Sequence, residues 1–455
     1  MGLSATLARH CCSSSYETIP AAAIEAAKRS LLDAIGVSVA ASTLAPECRP
    51  FIDVARDQGA GACTILGVGA GVAPLPAAFA NGALAHALDF EDAHDEALVH
   101  PNAPLVPVLL ALAESEPPVD GRRFLAAMAV GCDLTCRLSL ACGGALLERG
   151  WYPPSLVAAF GATAGASHLL GLDERQVLDA FSLLLGQLGS HGELINARGS
   201  VMRSVRDAFP AQAALSSVLL ARRGVRGYDA PFEGQAGFFR VYAGGVDEQT
   251  LLADMGETYA GAQISFKPWP SCRGTHAFVE GALALRGLHG LATADVERLE
   301  LTGDPVTGSI VAEPRAHKLT PGSVIEAKFS VYYTVALALE LGTVTLGSFD
   351  ERRLCDERVL ALARRIHYEA DGARVPGSGV VTAVRRDGSR VEAAVESALG
   401  SPESPLGDEA LIAKFSDCVS YAASPIEPAD ALRLAEDILR LEKSDDVGAL
   451  TARVG

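Results

Sequence analysis

Phe266-Lys267-Pro268-Trp269-Pro270-Ser271-Cys272-Arg273-Gly274-Thr275-His276 is the stretch at which this chain changes character. Pro268 and Pro270 keep the backbone stiff and extended, and a helix start is predicted at Thr275. On the N-terminal side, from about residue 20 to 260, apolar residues recur at helical spacing. Ile24, Ala27, Leu31, Leu32 and Ile35 share one face, with Lys28 and Arg29 off it. Similar runs cover 74–88, 104–115, 123–142, 154–170, 174–187 and 207–223. Glycine and proline punctuate them at Gly67, Gly69, Gly71, Pro117-Pro118, Gly143-Gly144 and Pro153-Pro154. On the C-terminal side, Val296 to Leu301 alternates in part, as a half-exposed strand does. Residues 380–384 and 390–395 flank Arg385-Arg386-Asp387-Gly388-Ser389 and read as a β-hairpin with Asp-Gly in its turn. Helical stretches are predicted at 275–288, 329–341 and 351–365, and again at 406–421 and 429–441. The pattern is helical first, then α+β, then helical, with the last helices returning to the first domain.

Composition fits that reading. The 455 residues are 49% hydrophobic but only 6% aromatic, so the core is built from Ala, Leu, Val and Gly and its helices meet through small residues. A formal net charge of −17 excludes non-specific nucleic-acid binding. An anionic ligand would need locally concentrated Arg and Lys. None of the ten cysteines forms a CxxC pair. Cys132, Cys136 and Cys142 lie in an apolar helical stretch and read as core rather than metal ligands; the scattered pattern suits reduced thiols in a cytoplasm. No signal peptide is evident. The apolar run from Leu156 to Leu170 contains Gly161, Gly165, Ser167 and His168 and reads as a buried helix, not a membrane span. Gly67-Val68-Gly69-Ala70-Gly71 lacks dinucleotide-loop spacing and reads as a turn.

Four segments carry candidate chemistry. Ala85 to Asp95 with His100-Pro101-Asn102 crowds His86, Asp89, Glu91, Asp92, His94, Asp95 and His100 against an apolar helix, a setting for perturbed pKa values and proton transfer. The 266–276 loop holds Lys267, Cys272, Arg273 and His276 at the domain boundary, and a helix N-terminus beside Lys267 and Arg273 favours a carboxylate. Asn196 to Asp207 places Arg198, Arg203 and Arg206 before an apolar helix, suited to bidentate carboxylate binding. Glu326 to Tyr333 puts Tyr332 and Tyr333 at a helix start, where a tyrosine serves as acid or base or packs in the core.

Together these segments resemble the MmgE/PrpD family, which includes 2-methylcitrate dehydratase, cis-aconitate decarboxylase and iminodisuccinate epimerase. The resemblance covers most of the chain. It rests on Asn81-Gly82-Ala83, His86-Ala87-Leu88-Asp89-Phe90-Glu91-Asp92, His100-Pro101, Phe160-Gly161-Ala162, Lys267 to His276, Ala327-Lys328-Phe329-Ser330 and Lys414-Phe415-Ser416-Asp417-Cys418. It implies a mainly α fold with an α+β lid: a large all-helical domain from both chain ends (1–265 and 406–455) and an inserted α+β domain (266–405). It implies a cofactor-independent cytoplasmic homodimer, with no metal and no membrane or nucleic-acid partner, acting on a di- or tricarboxylate at a site between helical domain and lid. Asp89, His100, Lys267 and Tyr333 match family active-site positions, and Cys272 and Arg273 fall in the same loop.

This chain departs from its relatives at specific places. Ala93 stands where the family usually has Thr, Tyr152 where relatives commonly carry His, and Arg203 and Arg206 where relatives have a Lys and a His. Arginine clamps a carboxylate but is a poor proton shuttle. The expected mechanism is formation or capture of a carbanion next to a carboxylate. His100, oriented by Asp89, is the base or acid. Lys267 with Arg203 and Arg206 holds carboxylates, and Tyr333 or Tyr152 supplies a proton on the other face. Cys272, Arg273, His94 and His276 are expected to line the substrate. Glu91, Asp92 and Asp95 are read as supporting or solvent-facing. Dehydration, decarboxylation and epimerisation fit equally; a degenerate member that only binds a polycarboxylate is the non-enzyme alternative, and the retention of Asp89, His100, Lys267 and Tyr333 argues against it.

Overall fold

Gly161 accounts for how the two longest-contacting helices of this protein meet. In the computed structural model, which describes residues 2–116, 118–424 and 426–455, Gly121–Cys142 packs along Pro153–Leu169. A Cβ at Gly161 would run into the Gly131 carbonyl and Thr135 Oγ1, so any larger residue would force the helices apart. Pro117, half of the proline pair read as punctuation, lies outside the described residues. The chain is mainly α and forms two units: residues up to Ile264 with Gly407–Gly455, and Ser265–Leu406.

The first unit is a stack of buried helices. Asn102–Ser115, Gly121–Cys142 and Pro153–Leu169 bury nearly every side chain, which is why their apolar residues run on all faces rather than in one stripe. Gly121–Cys142 is long and apolar enough to cross a membrane, but 94% of its most apolar stretch is buried inside the unit, as in a core helix. The C-terminal helix Asp408–Val419 packs on Ala21–Leu44. The unit also carries a two-stranded antiparallel hairpin, β1 (Ala60–Ile65) and β2 (Ala70–Val72), joined through Gly67 and Gly69. Among the described residues, none of the ten cysteines is in a disulfide.

The second unit contains a four-stranded sheet. β3 (Val296–Gly303) is central, paired parallel to β4 (Ile366–Ala370) and antiparallel to β5 (Gly379–Arg385), which pairs with β6 (Arg390–Val395). β3 alternates as its sequence predicts, burying Val296, Leu299 and Leu301. Helices His276–His289 and Val331–Leu341 join it in one core that includes Phe278, Tyr332, Tyr333, Ile366 and Val381. The helix predicted over 351–365 is shorter, Glu357–Ala363, because the chain goes on into β4. Ile366 is the only fully buried residue of that edge strand, so no alternation announces it.

Candidate active site

His86 is delivered by the last turn of helix Pro74–Ala87, and the chain then bends sharply. Asp89 adopts a left-handed φ of 49°, and its N–H donates to the His86 carbonyl at 2.8 Å. Such a conformation costs a non-glycine residue about 1–3 kcal/mol and persists where surrounding contacts hold it. The bend returns Glu91, fully buried, to His86. His100 arrives just before helix Asn102–Ser115. The His86 and His100 rings are 5.1 Å apart, and the two contact one carboxylate oxygen, Glu91 Oε1.

The hydrogen bonds assign the protons. Arginine only donates, so the contact of Arg206 Nη1 with His86 Nε2 makes that nitrogen the acceptor. The His86 proton is therefore on Nδ1, where it is donated to Glu91 Oε1. His100 Nδ1 faces two acceptors, Asp92 O at 2.9 Å and Glu91 Oε1 at 3.0 Å, so it too carries its proton. His100 Nε2 is left with the lone pair. Its side chain is 14% exposed, whereas that of His86 is 0% exposed. Burial, reinforced by the Arg206 charge and opposed by Glu91, pushes His86 down to about 3 and keeps it neutral. Burial and the nearby Asp33 charge push Asp92 up to about 7, against the Asn102 Nδ2 bond at 2.6 Å to its carboxyl.

Arg206 is buried at the base of this cluster. Its guanidinium lies over the Tyr152 ring, 5.0 Å from the centroid, and its Nε is 3.3 Å from Asp207 Oδ2. Ser155 Oγ donates to Asp207 Oδ1 at 3.0 Å. Gly82 makes the arrangement possible: a Cβ there would sit 2.6 Å from the Asp207 carbonyl oxygen. Arg206 and Ser155 also form part of the wall of a cavity of about 270 Å³, with Leu156, Leu194, Met202 and Phe209 on its other sides. Arg203 is buried on the short helix Met202–Val205. The loop is fastened by Lys414, which donates to the Phe90 carbonyl at 2.7 Å, lies 3.8 Å from the Phe90 ring centroid and pairs with Asp33 at 2.6 Å.

His86, Asp89, Glu91 and His100 offer ligand atoms all within 4.8 Å of one another, a spacing that could suit a metal ion. The donor set fits one poorly. A cation would have to take His86 Nε2 from Arg206 or displace the protons bound to Glu91, and it would sit beside a fixed guanidinium charge.

In the second unit, the 266–276 loop is held by its own main chain. Phe266 N–H donates to Gly400 O at 2.8 Å and Cys272 N–H to Lys328 O at 3.0 Å. Lys267 is fully buried and Cys272 half-buried. Tyr333 is buried in helix Val331–Leu341, and its hydroxyl has no hydrogen-bond partner among the described residues. Burial, with the Asp356 charge, pushes it up to about 12, so the phenol stays protonated.

Several expectations change. His100 is oriented by Glu91 and the Asp92 carbonyl, whereas Asp89 was expected in that place. Asp89 is a buried member of the cluster at its strained turn. His94 was expected at the substrate. Its Nδ1 accepts the Ala97 N–H at 3.1 Å, and its other nitrogen bonds the Ala260 backbone, so it ties the loop together. Arg273 donates to Leu399 O at 2.8 Å and Ala398 O at 3.0 Å, and His276 Nε2 donates to Ser271 O at 3.1 Å; both work as braces. Arg206, expected to hold a substrate carboxylate, contacts His86 through Nη1 and Asp207 through Nε, while its Nη2 has no hydrogen-bond partner among the described residues. His86 and Glu91 stand in the cluster that the sequence singles out, but His86 has no assigned role there, Glu91 only a supporting one, and Asp207 was missed. A carboxylate five residues past a histidine at a helix end was the available signal.

Residues 5–250 match the MmgE/PrpD N-terminal domain and residues 269–440 the MmgE/PrpD C-terminal domain. The chain belongs to the MmgE/PrpD family. Its curated relatives include the cis-aconitate decarboxylase-like protein oryM of Aspergillus oryzae, 26% identical, with 96% of this chain and 94% of the relative covered. Cis-aconitate decarboxylase of Aspergillus terreus is 26% identical over 95% of this chain and 92% of its own length. The human cis-aconitate decarboxylase is 26% identical over 83% of this chain and 79% of its own. As an MmgE/PrpD member with these relatives, the chain is an enzyme of the lyase or decarboxylase type.

Proposed function

We propose that this MmgE/PrpD member is a cofactor-independent lyase for a small di- or tricarboxylate, working through a carbanion next to a carboxylate, with His100 Nε2 as the proton-transfer atom. The observation that carries this is the proton assignment: both acceptors at His100 Nδ1 leave Nε2 as a base. In a dehydration, the C–H bond breaks and its proton goes to His100 Nε2. The electron pair forms the new double bond, and hydroxide leaves as water after taking a proton from a general acid on the opposite face of the substrate. In a decarboxylation, the C–C bond breaks and CO2 leaves with the electron pair kept on carbon. An imidazolium at His100 then returns a proton to that carbon. The cis-aconitate decarboxylases among the relatives favour the decarboxylating course. The proposal includes a cytoplasmic homodimer, which light scattering of the purified chain checks for subunit number.

The test is incubation with a panel of di- and tricarboxylates, cis-aconitate included, in D2O. Deuterium entering recovered substrate or product at a carbon next to a carboxylate is the expected result. No turnover and no exchange with any member of the panel would sink the proposal, and tight binding without exchange would mark a carboxylate-binding protein.

A further inference from the structure

Arg206 and His86 pose a question that carbanion chemistry at His100 does not answer. Two imidazoles share one carboxylate oxygen, yet only one of them has a free nitrogen. The charged and titratable groups around His86 are Arg206, Glu91, Asp89 and, across a 5.1 Å ring contact, His100; Asp207 and Tyr152 face Arg206 from its other sides. A second proton on His86 would have to enter at Nε2, the nitrogen that accepts from Arg206. It would break that bond and set two cations against each other in a buried site. With His86 neutral, the negative charge of Glu91 is not neutralised by an imidazolium on that side. That charge faces His100 Nδ1 at 3.0 Å, where it holds the proton and stabilises the imidazolium that forms when Nε2 takes a proton.

We infer that Arg206 and His86 are positioning residues which, acting through Glu91, lock the proton of His100 onto Nδ1 and keep Nε2 open as the base. Arg206 is thus a fixed cation at the far end of a hydrogen-bonded chain: Arg206 to His86, His86 to Glu91, and Glu91 to His100. This role differs from the substrate clamp expected from its sequence. Gly82 is part of the device, since the close approach it permits at Asp207 brings the Arg206 segment against the His86 helix.

The experiment uses the full chain with 15N-labelled histidine, its ring signals assigned with His86→Gln and His100→Gln and followed by long-range proton–nitrogen correlation from about pH 9 to 5. In the wild type, His86 is expected as a neutral Nδ1–H tautomer, stationary over the whole range, and the neutral form of His100 is expected with its proton on Nδ1. In Arg206→Gln, His86 is expected to titrate within the range and His100 to show mixed tautomers. Arg206→Lys, which keeps a charged donor, restores the wild-type pattern. The kinetic arm rests on the lyase reading: kcat falls about ten- to a hundredfold in Arg206→Gln with KM little changed, and Arg206→Lys recovers much of it. An Nε2–H tautomer at His86 in the wild type overturns the inference, whether or not the variants fold. Unchanged ring signals in folded Arg206→Gln, with KM raised and kcat kept, would make Arg206 a substrate clamp. Because the tautomers are read without substrate, failure of every carboxylate to react would sink the lyase reading and leave the Arg206–His86 lock standing.

Discussion

Among the described residues, two buried arginine–histidine pairs serve opposite ends. Arg206 contacts His86 in the helical unit, and Arg273 contacts His276 at 3.4 Å in the α+β unit. Both amino groups of Arg273 donate to main-chain carbonyls, and the remaining nitrogen of His276 bonds the Ser271 carbonyl. These bonds end on backbone, and through them the pair braces a loop. The first pair instead passes its hydrogen bonds to a carboxylate, and through Glu91 to a second imidazole whose outer nitrogen is open. The same two residue types become a brace or a relay according to whether the next acceptor is a carbonyl, which stays neutral, or a carboxylate, whose charge can answer a proton gained nearby.

The contrast between relay and brace is tested most severely at His100. His100→Ala is expected to lower kcat about a hundred- to ten-thousand-fold while thermal unfolding stays close to wild type; near-normal turnover in the folded variant would remove the relay. Glu91→Gln keeps the size of the side chain but removes its charge, and a loss of roughly a hundredfold or more is expected in kcat. Equal kcat in the two proteins would show that the carboxylate only fills space. Arg273→Met tests the brace. It leaves the carbonyls of residues 398 and 399 without their donor and should cost about 1.5–3 kcal/mol of stability per bond lost, seen as a lower midpoint in urea. If the midpoint holds while KM rises, Arg273 belongs to substrate after all.

The smallest effect is in pH. His86 is held down, so the unfolded chain binds its proton first, and this residue makes stability rise with pH between about 3 and 6.5. Asp92 is held up to about 7, so the folded chain keeps that proton, and its contribution to stability falls as pH rises from 3.8 to 7. The two slopes oppose each other through the shared window. Asp92→Asn removes one, and the pH slope of its stability should become more positive than that of the wild type by up to about 1.4 kcal/mol per pH unit. Parallel curves for the two proteins would show that Asp92 ionises normally.

Much of the architecture was legible because it follows from period and punctuation. Ile24 to Ile35 at helical spacing, Val296 to Leu301 alternating and Asp387-Gly388 in a hairpin all lie where those patterns point. β4 was not legible, because an edge strand with Ile366 as its one fully buried residue carries no period. The candidate site was legible as a neighbourhood and not as a wiring diagram. His100 stood out in sequence, but its partner depends on the left-handed turn at Asp89, which swings Glu91 inward. His94 and His276 looked like ligands because sequence shows a histidine and not the backbone groups that occupy its nitrogens. Arg206 looked like a clamp because its contact with His86 spans 120 residues of chain.

Lys414 sets an order of events. The loop that carries Asp89 and Glu91 is gripped through the Phe90 carbonyl by a side chain 324 residues further on. At about 5–20 residues per second, a ribosome needs roughly 15 to 65 s to travel that distance. Throughout that interval the nascent chain holds its acids and imidazoles without their fastening. The protein is thus born with its reactive loop unclasped, and the clasp comes from a helix made 324 residues later.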